Sequence, residues 1–277
     1  MKKLLTFTLV LCFMISFGQI NYVGFIKNIP IEFSANIDRE RVSAIYVYTA
    51  FDEPIILTGS FENGTINLFE KDAKGTKTAT LTFLNFNSDS TTIQGTWKDL
   101  KTNKDLKITL TKEIDNLGEI IQAISTKDKY FKVVTDFSNV SEIKIYQKKT
   151  DKLIQKFDVA CNFRGFNNID VGDFNFDGFA DFSVFETSYA GPNTSTLYFL
   201  YNPKTKKYYD SGFSGISLDF DSKLKRIFET NQCCAGASVT TAEYKLVNNA
   251  MVLVKERCFK LDEKTQERTE RKMSDCK

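Results

Sequence analysis

The chain has 277 residues, 42% hydrophobic and 26% charged, with 37 Lys and Arg against 35 Asp and Glu, and it contains no His. The missing His excludes a Ser-His-Asp triad, a Cys-His dyad, an HExxH zinc site and a Cys2His2 finger. Balanced charge argues against nucleic acid, which needs a basic footprint, and 25 Phe and 11 Tyr beside only four Pro fit an ordered, β-rich protein.

The chain opens on Lys2-Lys3 and an apolar run from Leu4 to Phe17, followed by Gly18. This order reads as a secretory signal peptide over residues 1–18, with Gln19 as the mature start. The run is shorter than the ~20 apolar residues that span a bilayer. No later stretch is longer, so the expectation is an exported protein without a membrane span, in a periplasm or beyond it. Lipidation at Cys12 is disfavoured because Leu11 stands where a small residue is wanted. Without Lys2 and Lys3 the basic and acidic residues balance, so partners are met by local patches and not by a global field.

Residues 19–113 repeat a short alternating run and a polar turn about every ten positions. Ile66 and Leu68, then Ala79, Leu81 and Phe83, then Leu106, Ile108 and Leu110 alternate with polar residues, which puts one face inward. Asn63-Gly64, Lys74-Gly75, Asn87-Ser88-Asp89 and Asn103-Lys104 punctuate them. About eight such strands predict an antiparallel meander closed, or nearly closed, into a small barrel. Trp97, the only Trp, is expected in its core.

Leu117, Ile120, Ile121 and Ile124 fall at helical spacing, which predicts a linker or short helix over 114–128. From 129 to 277 the strand pattern returns as hairpins. Turns are expected at Lys149–Lys152, Asn202–Lys206, Asp221–Lys223 and Asn248-Asn249, with a last arm after Lys264 tied down by Cys276. Stacked hairpins of this kind predict a propeller-like β domain. In an exported chain, five cysteines imply two disulfides and an odd thiol. The expected bridges lie among Cys233, Cys234, Cys258 and Cys276. Adjacent Cys233 and Cys234 cannot easily bond each other, so each is expected to reach a different partner. No nucleophile–base pair and no Gly-rich phosphate loop is visible, so the chain reads as non-enzymatic.

The chemical motif is Asp173-Phe174-Asn175-Phe176-Asp177-Gly178-Phe179-Ala180-Asp181. Oxygen side chains stand at positions 1, 3, 5 and 9, and Gly178 allows the sharp turn. Calcium takes six to eight oxygen ligands in flexible geometry. Asp173, Asn175, Asp177, Asp181 and the carbonyl of Phe179 supply five, and water completes the shell. Three carboxylates so close repel one another without a cation. The loop is not an EF-hand: Val184 stands where a bidentate Glu is needed, and the flanks 168–172 and 182–186 are strand-like. Phe174, Phe176, Phe179 and Phe182 alternate with the ligands and are expected to anchor the loop to the core. The ion is expected to be structural.

This loop, followed by Tyr189-Ala190-Gly191-Pro192-Asn193 and then Leu197-Tyr198-Phe199-Leu200-Tyr201-Asn202-Pro203-Lys204, resembles a family of periplasmic, calcium-binding, propeller-like proteins. That family includes inhibitors of lysozyme-like peptidoglycan hydrolases and immunity proteins against secreted antibacterial effectors. The similarity runs from about 131 to 256. It implies a partner-binding loop in which Tyr189, Ala190, Gly191 and Pro192 enter the groove of a hydrolase; Tyr189 holds the family's Tyr position and Ala190 replaces its usual Gly. The expectation is an exported inhibitor or immunity-type protein. The rival readings are a structural or adhesive surface protein and a small-ligand binder using the barrel.

Overall fold

In the computed structural model the described residues are 16–277, other than 50, 114–117, 137, 263, 266 and 277. The leader expected over 1–18 therefore lies outside them except for 16–18, which are the first residues of β1. The protein is all-β: among the described residues there are 21 strands, two short 3-10 turns and no α-helix. They form two units, one of residues 1–46 and 56–113, the other of 47–55 and 114–277.

The first unit is a closed antiparallel barrel whose strands neighbour one another in chain order: β1 (Ser16–Ile26), β2 (Ile29–Asp38), β3 (Arg41–Tyr48), β4 (Ile55–Glu62), β5 (Thr65–Lys71), β6 (Lys77–Phe83), β7 (Thr92–Asp99) and β8 (Asp105–Lys112). Closure comes from β1 on β8, in register from Tyr22 opposite Lys112 to Ile26 opposite Ile108. The alternation read from sequence points Ile66, Leu68, Ala79, Leu81, Phe83, Ile108 and Leu110 inward, all buried. Asn63 and Gly64, both at positive φ, make the tight β4–β5 turn. Eight strands enclose a bore that side chains fill, and here aromatic rings fill it: Phe33 lies 6.2 Å from Tyr22 and 5.7 Å from Phe83, between centroids. Gly59 is where β4 crosses closest to β5; a Cβ there would stand 1.8 Å from the carbonyl oxygen of Asn67. Trp97 is half-buried and not among the fully enclosed core residues. It stands opposite Leu81, on the inward face of β7 that also carries Ile93. Its indole N–H donates to Glu70, which also accepts from the Tyr46 hydroxyl, so the polar end of the ring has a partner on that face.

The second unit holds three antiparallel sheets. The first contains β9 (Glu119–Ser125), β10 (Lys129–Asp136), β11 (Asn139–Gln147) and β12 (Lys152–Asn162). β9 corrects the expected helix or linker over 114–128, although Leu117 lies outside the described residues. Ile120, Ile121 and Gln122 are buried in succession, and a register shift occurs where β9 meets β10. A strand that is irregular and covered on both faces mimics helical spacing. The second sheet contains β13 (Ile169–Gly172), β14 (Asp181–Ser188), β15 (Thr194–Asn202) and β16 (Lys207–Asp210); the third contains β17 (Asp219–Asp221), β18 (Arg226–Cys233), β19 (Ser238–Val247), β20 (Ala250–Leu261) and β21 (Arg268–Arg271). The turns at 149–152, 202–206 and 248–249 fall between strands as expected.

The middle sheet is buried on both faces, and strand alternation explains how. Phe182 and Phe199 stack at 4.7 Å and meet the first sheet through Phe131, 5.2 Å from Phe182, and Phe157, 4.5 Å from Phe199. Their neighbours Tyr198 and Leu200 point the other way, into a cluster with Phe213 and Ile227 of the third-sheet region. Within this unit Lys148 is buried, its ammonium 2.6 Å from Glu53 and 2.9 Å from the Ser125 hydroxyl.

Candidate functional site

The 173–181 loop joins β13 to β14. Gly178 has φ +88° and Phe176 +63°, so the chain reverses tightly, and the loop closes on its own amides. Asp173 accepts from the N–H of Asp177 and of Gly178, both at 2.9 Å. Asp177 accepts from Phe179 N–H at 2.9 Å and from the Asn175 amide at 2.9 Å. Asp181 is fully buried; its two oxygens accept from Phe174 N–H at 2.9 Å and Tyr201 N–H at 2.7 Å. Burial, helped by the charges of Asp177 and Asp173, pushes Asp181 up to about 6 against the pull of these two amides. Among the described residues, none of the ion pairs involves these three carboxylates.

The aromatic residues between the Asp and Asn positions anchor the loop. Phe174 packs 5.0 Å from both Tyr198 and Phe220, Phe176 6.4 Å from Phe220, and Phe179 6.0 Å from Tyr201. Phe179 remains partly exposed while Phe182 is buried. The oxygen donors suit a hard cation, and each carboxylate oxygen bonded to one amide keeps a second lone pair. In the present arrangement, no group of three or more His, Cys, Asp or Glu among the described residues is disposed to hold a metal ion.

The loop bearing Tyr189, Ala190, Gly191 and Pro192 joins β14 to β15. All four are exposed, Tyr189 at 51%, and Gly191 makes the turn at φ +71°. Its base is locked by Asn193, which the sequence did not single out. Asn193 is buried at 7%. Its carbonyl accepts from Tyr189 N–H at 2.9 Å. Its side-chain amide donates to Asn231 Oδ1 at 3.0 Å and to the Gln232 carbonyl at 2.8 Å, and its Oδ1 accepts from Gln232 N–H at 3.0 Å. Ser217 adds a second tie: its Oγ accepts from Thr194 N–H at 3.1 Å and its N–H donates to the Thr194 carbonyl at 2.8 Å. The Asn after Gly191-Pro192 carries a turn signal, but partners almost forty residues away are invisible to local pattern.

Of the four cysteines expected to bridge, Cys258 and Cys276 are bonded, which ties the chain end to β20. Cys233 and Cys234 do not reach different partners; both are free and exposed, and Cys161 is a buried free thiol. β18 and the turn after it carry the pair to the surface, away from Cys258 in the interior. Among the described residues no helix is long and apolar enough to cross a membrane. The sequence matches no protein-family model and none of the curated proteins compared with it.

Proposed function

We propose that this is an exported, non-enzymatic binding protein that presents Tyr189 to a lysozyme-like peptidoglycan hydrolase, as an inhibitor or immunity-type protein. The observation that carries the reading is an exposed Tyr on a loop whose base is fixed by a buried Asn. A recognition tip held in one conformation loses little entropy on docking. Tyr supplies rigid contact area and a hydroxyl able to reach catalytic carboxylates. Ala190, Gly191 and Pro192 complete the tip.

Calcium is the second part of the proposal. Asp173, Asn175, Asp177, the Phe179 carbonyl and Asp181 would hold the ion, which supplies the positive charge that three neighbouring carboxylates lack. The three stacked sheets are read as propeller-like blades, with the calcium hairpin in the middle one.

The test is a peptidoglycan-lysis assay with muramidase-class enzymes. Wild-type protein is expected to inhibit at least one, and Tyr189→Ala to weaken that inhibition by about 30-fold, the ~2 kcal/mol of an interface hot spot. Failure of the wild-type protein against every such enzyme removes the reading.

A further inference from the structure

Cys233 ends β18, and Cys234 opens the 3-10 turn Cys234–Gly236. Cys234, Ala235 and Gly236 have φ of +58°, +54° and +86°, so two residues bearing a Cβ sit in the left-handed region. Such strain persists only where the surroundings impose it. Here Ala237 N–H donates to the Cys234 carbonyl at 3.1 Å, the Arg268 guanidinium to the Gly236 carbonyl at 3.3 Å, and Leu261 N–H to the Ala237 carbonyl at 2.8 Å. The two thiols line a cleft of about 430 Å³ whose other wall is Ala190, Gly191 and Pro192.

The other described cysteines offer these thiols no partner. Cys258 and Cys276 are bonded to each other. Cys161 is buried, and burial, with the charge of Glu186, pushes its thiol up to about 12.

We propose that Cys233 and Cys234 are a redox-active vicinal pair, closing on each other as a reversible disulfide that remodels the cleft beside residues 190–192. Adjacent Cα atoms stand ~3.8 Å apart, shorter than the ~4.4–6.8 Å common for disulfides. The ring is therefore strained and readily reduced, which is the character of labile bonds rather than structural ones. The oxidant is a small-molecule or protein disulfide. The Cys234 thiolate attacks one of its sulfurs, forms a mixed disulfide and expels one thiolate. Cys233 then loses its proton, attacks Cys234 Sγ and expels the second. Two thiol protons and two electrons leave with the reduced partner. A hydrogen bond from Cys233 to Cys234 holds the Cys233 thiol above its ordinary range. This chemistry stands whether or not Tyr189 meets a hydrolase.

The experiment treats the full chain, natively folded, with oxidised glutathione, then alkylates it and measures its mass. Before oxidation Cys233 and Cys234 are both expected to alkylate, read by peptide mapping so that Cys12 is followed separately. Afterwards neither should, with two hydrogens lost from the peptide that carries them and the chain still monomeric on a non-reducing gel. Cys233→Ser and Cys234→Ser should each prevent ring closure and leave one glutathione attached. Reduction of the ring is expected at roughly tenfold less dithiothreitol than Cys258–Cys276 requires. Hydrogen exchange at Ala190 and Gly191 should change severalfold between the two states. Cys233 and Cys234 that still alkylate after oxidation, or covalent dimers in place of the ring, overturn the vicinal disulfide. A ring that forms without altering exchange at Ala190 and Gly191 overturns its link to the cleft.

Discussion

Asn193 and Asp181 do for the second unit what neither could do exposed: each satisfies several backbone groups from inside the fold. Removing a buried partner costs its unpaired neighbours about 1–3 kcal/mol. Asn193→Ala is expected to lower stability by that amount in chemical denaturation, and to speed hydrogen exchange at Tyr189. Asp181→Asn should cost a similar amount, because its new amide would face an N–H donor instead of accepting from it. Asp177→Asn provides the contrast. Asp177 is exposed, so stability without calcium should change by less than ~0.5 kcal/mol, while any stabilisation by calcium is lost. The tight turn at 173–181 was legible from spacing alone, because a turn built on Asp, Asn and Gly is a local object. Asn193 was not, because its role depends on strand β18, which only the folded chain brings near.

At the level of elements, the middle sheet carries the core. Phe182 stacks on Phe199 and lies within 5.2 Å of Phe131 and 4.9 Å of Tyr208. Phe182→Ala should destabilise by about 3–5 kcal/mol, read as a shift of denaturation midpoint at unchanged slope. The proposed calcium would act on the hairpin that enters this sheet. At a hundredfold excess over its dissociation constant, an ion bound only by the folded state adds ~2.7 kcal/mol. For a unit of this size that is a rise in melting temperature of roughly 5–10 °C, reversed by EDTA; an unchanged melt removes the ion from the proposal. The hairpins of this unit were legible because polar turns separate alternating runs. β9 was not, because Ile120 and Ile121 are both buried and erase the alternation that marks a strand.

Over the whole molecule, two cores are divided between two units, and the sequence places useful reporters in them. The single Trp lies in the barrel, on β7, whereas eight of the eleven Tyr fall at or after position 130. Tryptophan emission therefore follows the barrel, and near-ultraviolet circular dichroism is weighted to the second unit. Calcium is expected to raise the transition seen by dichroism and to leave the midpoint seen by Trp emission unchanged. The all-β class and the barrel of eight strands were legible because each rests on repeated local alternation. The cysteine pairing was not, since linking Cys258 to Cys276 depends on β21 returning alongside β20.

The lock on the Tyr189 loop has a practical corollary for engineering. Because Asn193 is seated on Asn231 and Gln232, the shape of the tip is not encoded in the nine or so residues that form it. A peptide copied from that segment, or a transplant of it onto a foreign hairpin, should lose the conformation. Only a fragment reaching through the strand that cradles the asparagine should keep it.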